Sequence, residues 1–146
     1  MAGFDNAPDS FFEIGTARLK YGPFWTPQFT VMVLRHEGKE YALNGLLQSL
    51  RASASVHGLR WSFASENGAV RIAGTITATE DGMMGLAYRN PSGGIKHCLN
   101  SMIASCELAV TLKQEAGGPK ILLWTASRAA FEILTDDPSH GVAIRA

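Results

Sequence analysis

The chain has 146 residues, 13 basic and 13 acidic, and 46% of them are hydrophobic; this is the size of one domain able to bury a core without disulfides or metal. The charges balance and form neither a basic patch nor an acidic block, so no nucleic-acid interface is expected. No apolar run reaches the roughly 18 residues of a membrane helix, and residues 1–10 lack the basic start and apolar stretch of a secretory leader. A cytoplasmic protein is expected, with peripheral membrane attachment left open.

In chain order, residues 11–21 read as a strand, after which Gly22-Pro23 and Pro27 break the chain. Residues 28–35 and 39–44 flank His36-Glu37-Gly38 as a hairpin. Residues 46–54 are ambiguous. Leu46, Leu47 and Leu50 have helical spacing, and at most one short helix is placed there. Leu59, Trp61 and Phe63 alternate with Arg60, Ser62 and Ala64. Glu66-Asn67-Gly68 follows as a turn, since Asn-Gly readily takes positive φ. Val70, Ile72 and Ile76 then alternate with Arg71, Thr75 and Thr77, completing the most regular hairpin in the sequence. Gly74 in mid-strand predicts a bend or bulge.

Glu80-Asp81-Gly82 makes another turn. Met84, Leu86 and Tyr88 alternate with Gly85, Ala87 and Arg89. Asn90-Pro91-Ser92-Gly93-Gly94 ends that strand, because proline cannot donate to a ladder. Cys106, Leu108, Val110 and Leu112 alternate with Glu107, Ala109, Thr111 and Lys113. Gly117-Gly118-Pro119 turns the chain into a strand over 121–125, and a last strand covers about 129–134. About eight to ten short strands in meander order need closure to remove their edges. The predicted fold is therefore all-β, an antiparallel barrel in one domain over 1–146. A barrel of that size can just enclose one small ligand.

Several motifs occur in a telling order. They are Glu37-Gly38-Lys39-Glu40-Tyr41, Leu59-Arg60-Trp61, Met84-Gly85-Leu86-Ala87-Tyr88-Arg89-Asn90-Pro91, His97-Cys98-Leu99-Asn100-Ser101 and Ala104-Ser105-Cys106-Glu107-Leu108. Residues 120–133, with Thr125-Ala126-Ser127-Arg128-Ala129-Ala130-Phe131-Glu132, close the series. Over about 14–133 the chain resembles tocopherol cyclase-like proteins. The resemblance implies a lipocalin-like architecture. Such proteins usually carry two domains in tandem, and this chain resembles the second. A homodimer or a missing tandem domain is then the expected protein partner. The resemblance supplies no catalytic position to carry over.

Candidate site residues have two readings each. Trp61 and Phe63 share a face and either line a ligand cavity or fill a core. Trp124 has the same choice, and its indole N–H needs a partner if buried. Tyr88 lies on a similar alternating face. His97, Asn100 and Ser101 form the densest polar group, where a polar run interrupts two apolar strands. His97 suits general acid–base work, while Asn100 and Ser101 suit hydrogen bonds to a hydroxyl or quinone oxygen. The other reading is a hydrogen-bonded loop or strand end. Glu107 and Glu132 sit within apolar strands. Alternation puts Glu107 outside, whereas Glu132 is less settled, and an acid inside an apolar barrel could protonate an alkene. Arg128 pairs with an acid or a head group, or lies on the surface.

Cys98 and Cys106 show no metal or disulfide spacing. The four histidines show none either, so no metal and no cofactor is expected. Three functions compete. The first is binding of an isoprenoid, quinone or other lipid, which needs an apolar pocket of a few hundred cubic ångström. The second is a cyclase or hydratase, with His97 and Glu132 as the candidate acids. The third is a half that forms a site only when paired.

Overall fold

The computed structural model describes residues 1–91, 93–113 and 118–144. The first part of the chain forms β1 (Ala2–Gly3), β2 (Phe11–Ala17), β3 (Lys20–Tyr21), β4 (Phe24–Trp25), β5 (Phe29–His36) and β6 (Lys39–Leu43). The helix α1 (Leu46–Arg51) leads into β7 (Ser53–His57), β8 (Arg60–Glu66), β9 (Val70–Thr77) and β10 (Met84–Arg89). Two long strands follow, β11 (Ile95–Leu112) and β12 (Lys120–Thr135). The main sheet runs β6-β5-β2-β1-β12-β11-β9-β8-β7, with β10 also paired to β11, while β3 and β4 form a separate two-stranded hairpin. The ladders are antiparallel throughout.

The all-β antiparallel class and the one short helix agree with the sequence. The ladders do not close. Their path ends at β6 on one side and β7 on the other, with no pairing between these edges among the described residues. Closure is replaced by curling. Phe12 on β2 and Phe63 on β8 have four strands between them along the path, yet their rings stack at 5.4 Å. The two halves of the sheet therefore face each other, and their inward side chains fill the space between. Met32, Leu34 and Leu43 come from one half, and Ile72, Leu108 and Val110 from the other, all buried. Each such side chain contributes about 1.5–3 kcal/mol when removed from water.

The halves are joined through β1, where Ala2 pairs with Phe12 on one side and Ala129 on the other. The next residues clamp the junction. The Asp5 backbone N–H donates to the Trp124 carbonyl at 2.8 Å. The Asp5 carboxylate accepts from the Thr125 hydroxyl at 3.1 Å and the Ala126 N–H at 2.8 Å.

β11 is the organising strand. One edge pairs with β12, and the other is shared, residues 95–100 with β10 and residues 105–112 with β9. A register shift between Ser101 and Ala104 divides the two stretches. It changes which parity is buried: Leu99 and Ser101 before it, Ala104, Cys106 and Leu108 after it. The Ser101 Oγ accepts the Ile103 N–H at 3.3 Å within this bulge. So the polar run of His97, Asn100 and Ser101 does not end a strand. It lies inside one, and the parity change makes it read as an interruption. The expected strands over 121–125 and 129–134 are likewise one strand, β12.

Other expectations change in detail. Residues 11–21 split, because the chain leaves the main sheet after Ala17. Gly74 makes no bulge, since β9 keeps its register through it on both sides. Its role is close approach: an added Cβ would run into the Glu107 carbonyl and lie 2.9 Å from the Leu108 Cδ1. The turn at Asn67-Gly68 needs no positive φ. The Asn67 side-chain oxygen accepts the N–H groups of Ala69 and Val70, both at 2.8 Å, and so satisfies the turn itself. Positive φ occurs instead at Glu37 (49°) and Gly38 (73°), in the two-residue loop between β5 and β6, where a primed turn requires it. Ser92 and Gly117, assigned to turns, lie outside the described residues.

Candidate functional site

An open cleft of about 760 Å³ is lined by residues of β2, β7, β8 and β12. Ile14 on β2, Val56 on β7, Trp61 on β8 and Leu134 on β12 supply apolar lining, and Thr16, Gln28, Ser55, Lys96 and Glu132 supply polar lining. Trp25 and Arg18 bound it at the base and wall of the β3–β4 hairpin. Trp61 and Phe63 thus divide the roles the sequence left open. Phe63 belongs to the packed core, stacked on Phe12. Trp61 is half-buried, meets Phe63 edge to face at 6.0 Å, and borders the cleft.

The β11–β12 register brings three functional side chains together. Asn100 lies opposite Glu132, and Cys98 opposite Leu134, so all four share one face. The Asn100 Nδ2 donates to the Cys98 Sγ at 3.8 Å. Burial pushes the Cys98 thiol above its ordinary value; the bond from Asn100 opposes this, and the nearby Glu132 carboxylate adds to it. The thiol therefore stays protonated and offers a donor toward that carboxylate. Glu132 itself is solvent-exposed. Lys96 is held by Asp136 at 2.7 Å.

His97 does not join this group. It pairs in register with Thr135, an odd number of positions from Glu132 along β12 with no shift between, so the two candidate acids point to opposite faces of the ribbon. They cannot act on one substrate atom. The Nδ1 of His97 lies 2.8 Å from the Nε2 of His140, with the rings edge to face at 4.8 Å. The Val142 N–H donates to the other nitrogen of His140 at 3.1 Å. With Nδ1 of His140 occupied as an acceptor, its Nε2 carries the proton, and His97 accepts it. The pair fastens the C-terminal segment onto the sheet, where Gly85 donates its N–H to the Ala143 carbonyl at 3.0 Å.

The remaining candidates are dispersed. Ser101 is buried opposite Phe131 and serves the bulge. Tyr88 is half-exposed on β10 opposite Lys96. Trp124 lies opposite Glu107 on the outer face, in a separate open groove of about 460 Å³ with Leu122 and Arg60. Glu107 is exposed, as alternation indicated. Arg128 donates to the Phe4 carbonyl at 3.2 Å and so braces the N-terminal segment rather than an acid.

Sequence reasoning missed Trp25, which the flanking prolines mark as mere chain breakage, and His140, whose partner lies on a distant strand. Both cysteines are free. Among the described residues no group of three or more His, Cys, Asp or Glu is placed to hold a metal ion, and no helix is long and apolar enough to cross a membrane. Comparison with protein-family models, with curated proteins and with solved structures finds no match to this chain.

Proposed function

We propose that the protein binds a lipophilic small molecule, an isoprenoid, quinone or other lipid, in the open cleft beside its core. One observation carries the reading: Trp61, Ile14, Val56 and Leu134, from four different strands, line one cleft together with polar side chains such as Gln28, Lys96 and Glu132. Pockets for such ligands are mostly apolar, with a few polar groups that fix orientation. The cleft's volume falls within the usual range of roughly 300–1,000 Å³. The motif resemblance to tocopherol cyclase-like proteins points the same way.

Titration with a short-chain prenylated quinone, read by quenching of tryptophan fluorescence, tests this. Saturable quenching is expected, and Leu134→Glu is expected to weaken it about tenfold or more by placing a charge among the cleft's apolar lining. Absence of saturable quenching, together with no lipid in native mass spectra of protein purified from its own host, sinks the reading.

An acid-catalysed cyclase or hydratase is the second reading, favoured by Glu132 among the residues that line the cleft. It predicts product from an isoprenoid quinol and loss of that turnover in Glu132→Gln. A paired half is the third. It is favoured by α1, whose Leu46, Leu47 and Leu50 all face solvent, and mass measurement in solution decides it.

A further inference from the structure

The β3–β4 hairpin stands apart from the main sheet. Gly22 takes a positive φ of 58° in its two-residue loop. Thr26 closes its base: its backbone N–H donates to the Leu19 carbonyl, and its hydroxyl accepts the Leu19 N–H, both at 2.8 Å. An isolated two-stranded hairpin is marginal in water, and this one carries its apolar side chains outward. Tyr21 is 84% exposed, Phe24 73%, and Trp25 and Leu19 60% each.

The register shows how these residues are arranged. Tyr21 pairs with Phe24 and Lys20 with Trp25, so the two pairs occupy opposite faces. The Lys20 ammonium lies 5.7 Å from the centre of the Trp25 ring. Each face therefore carries an exposed aromatic side chain, and both are open. A protein partner laid against one face leaves the other wet. A medium that surrounds the tip covers both. The charge is one-sided as well: Arg18 and Lys20 are the only charged residues between 18 and 26. Tyrosine and tryptophan beside basic residues are the side chains that settle at a membrane–water interface, and basic residues near an anionic surface each strengthen attachment several-fold. The hairpin also reaches the cleft, because Arg18 and Trp25 border it.

We infer that the β3–β4 hairpin docks the protein on an anionic lipid surface, its aromatic tip entering the interfacial layer and holding the mouth of the cleft against the bilayer. This docking does not depend on the cleft holding a ligand.

Sedimentation of the full chain with vesicles, either of pure phosphatidylcholine or of equimolar phosphatidylcholine and phosphatidylglycerol, tests it. Saturable binding to the mixed vesicles is expected. Phe24→Ser with Trp25→Ser, shown by circular dichroism to keep the fold, is expected to weaken it by roughly tenfold or more, the scale of exposing a large apolar side chain. Arg18→Gln with Lys20→Gln is expected to remove the preference for mixed over neutral vesicles. In a Trp61→Phe, Trp124→Phe variant, Trp25 is the sole tryptophan, and its emission is expected to shift to the blue and be quenched by brominated lipid. No vesicle binding by the folded protein overturns the inference, as does undiminished binding by the serine variant. A dimer that this variant dissociates, without any vesicle effect, also overturns it and assigns the tip to a protein interface. Vesicle binding without quinone quenching strikes the ligand reading alone.

Discussion

Gly74 sits where a methyl group has nowhere to go. Its missing Cβ points at the Glu107 carbonyl of the neighbouring strand, with the Leu108 Cδ1 at 2.9 Å and the Phe63 ring at 3.2 Å. Backbone cannot rotate away as a side chain can, so Gly74→Ala is expected to cost about 1–3 kcal/mol, as overpacked core positions do. Urea unfolding measures it, and an unchanged midpoint would show that β9 and β11 can part. The sequence displays Gly74 as a break in alternation, but it cannot say what lies opposite, because that backbone belongs to β11. Cys106 is a second case. Burial pushes its thiol from 9.0 up to about 12. A folded-state pKa above the unfolded one stabilises the fold fully below pH 9, and this contribution is lost as pH rises toward 12. The slope is at most about 1.4 kcal/mol per pH unit for one group. Stability measured across that window is expected to fall less steeply in Cys106→Ala than in the parent, and equal slopes would remove the assignment.

At the level of elements, alternation exposed most of the strands and one clean hairpin, because period two is a local signal. It failed where the bulge after Ser101 switches parity, and so β11 read as a polar run followed by a strand beginning at Cys106. The candidate site fared similarly. Asn100 and Glu132 were each visible as polar residues among apolar ones, but only the β11–β12 register sets them side by side. The same register separates His97 from Glu132. His140 then gives His97 a structural duty: it ties the segment after β12 to the outer part of the ribbon. One hydrogen bond of this kind contributes about 0.5–1.5 kcal/mol. His140→Ala is therefore expected to speed proteolysis within residues 136–144 by roughly fivefold while leaving the sheet intact, since local opening follows local stability. Cleavage at the parent rate would show that the Gly85–Ala143 hydrogen bond holds the segment without the histidines.

For the whole molecule, the sequence showed enough apolar strand for a closed barrel but not whether the ends meet. Among the described residues they do not, since the path ends at β6 and β7, while the cleft gathers residues of β2, β7, β8 and β12 with Arg18 and Trp25 beside the protruding hairpin. An edge left open in a sheet invites pairing with another chain. Here the edges end in short strands, β6 and β7, each only 5 residues long, which limits that hazard.

The bridge made by β1 has a consequence for how the chain is born. Its Ala2 must find Ala129, a partner that leaves the ribosome only after almost everything else in the sequence. The β2–β5–β6 meander and the β7–β8–β9 meander can each form while synthesis continues, since their contacts are local. The seam between them cannot. β1 can pair with β2 early, Ala2 with Phe12, but its other edge must wait until β12 emerges, and long-range pairing of this kind is slow. Through that interval Phe4 and Phe12 have no finished core to enter, which makes the first dozen residues the stretch most in need of shelter during biogenesis.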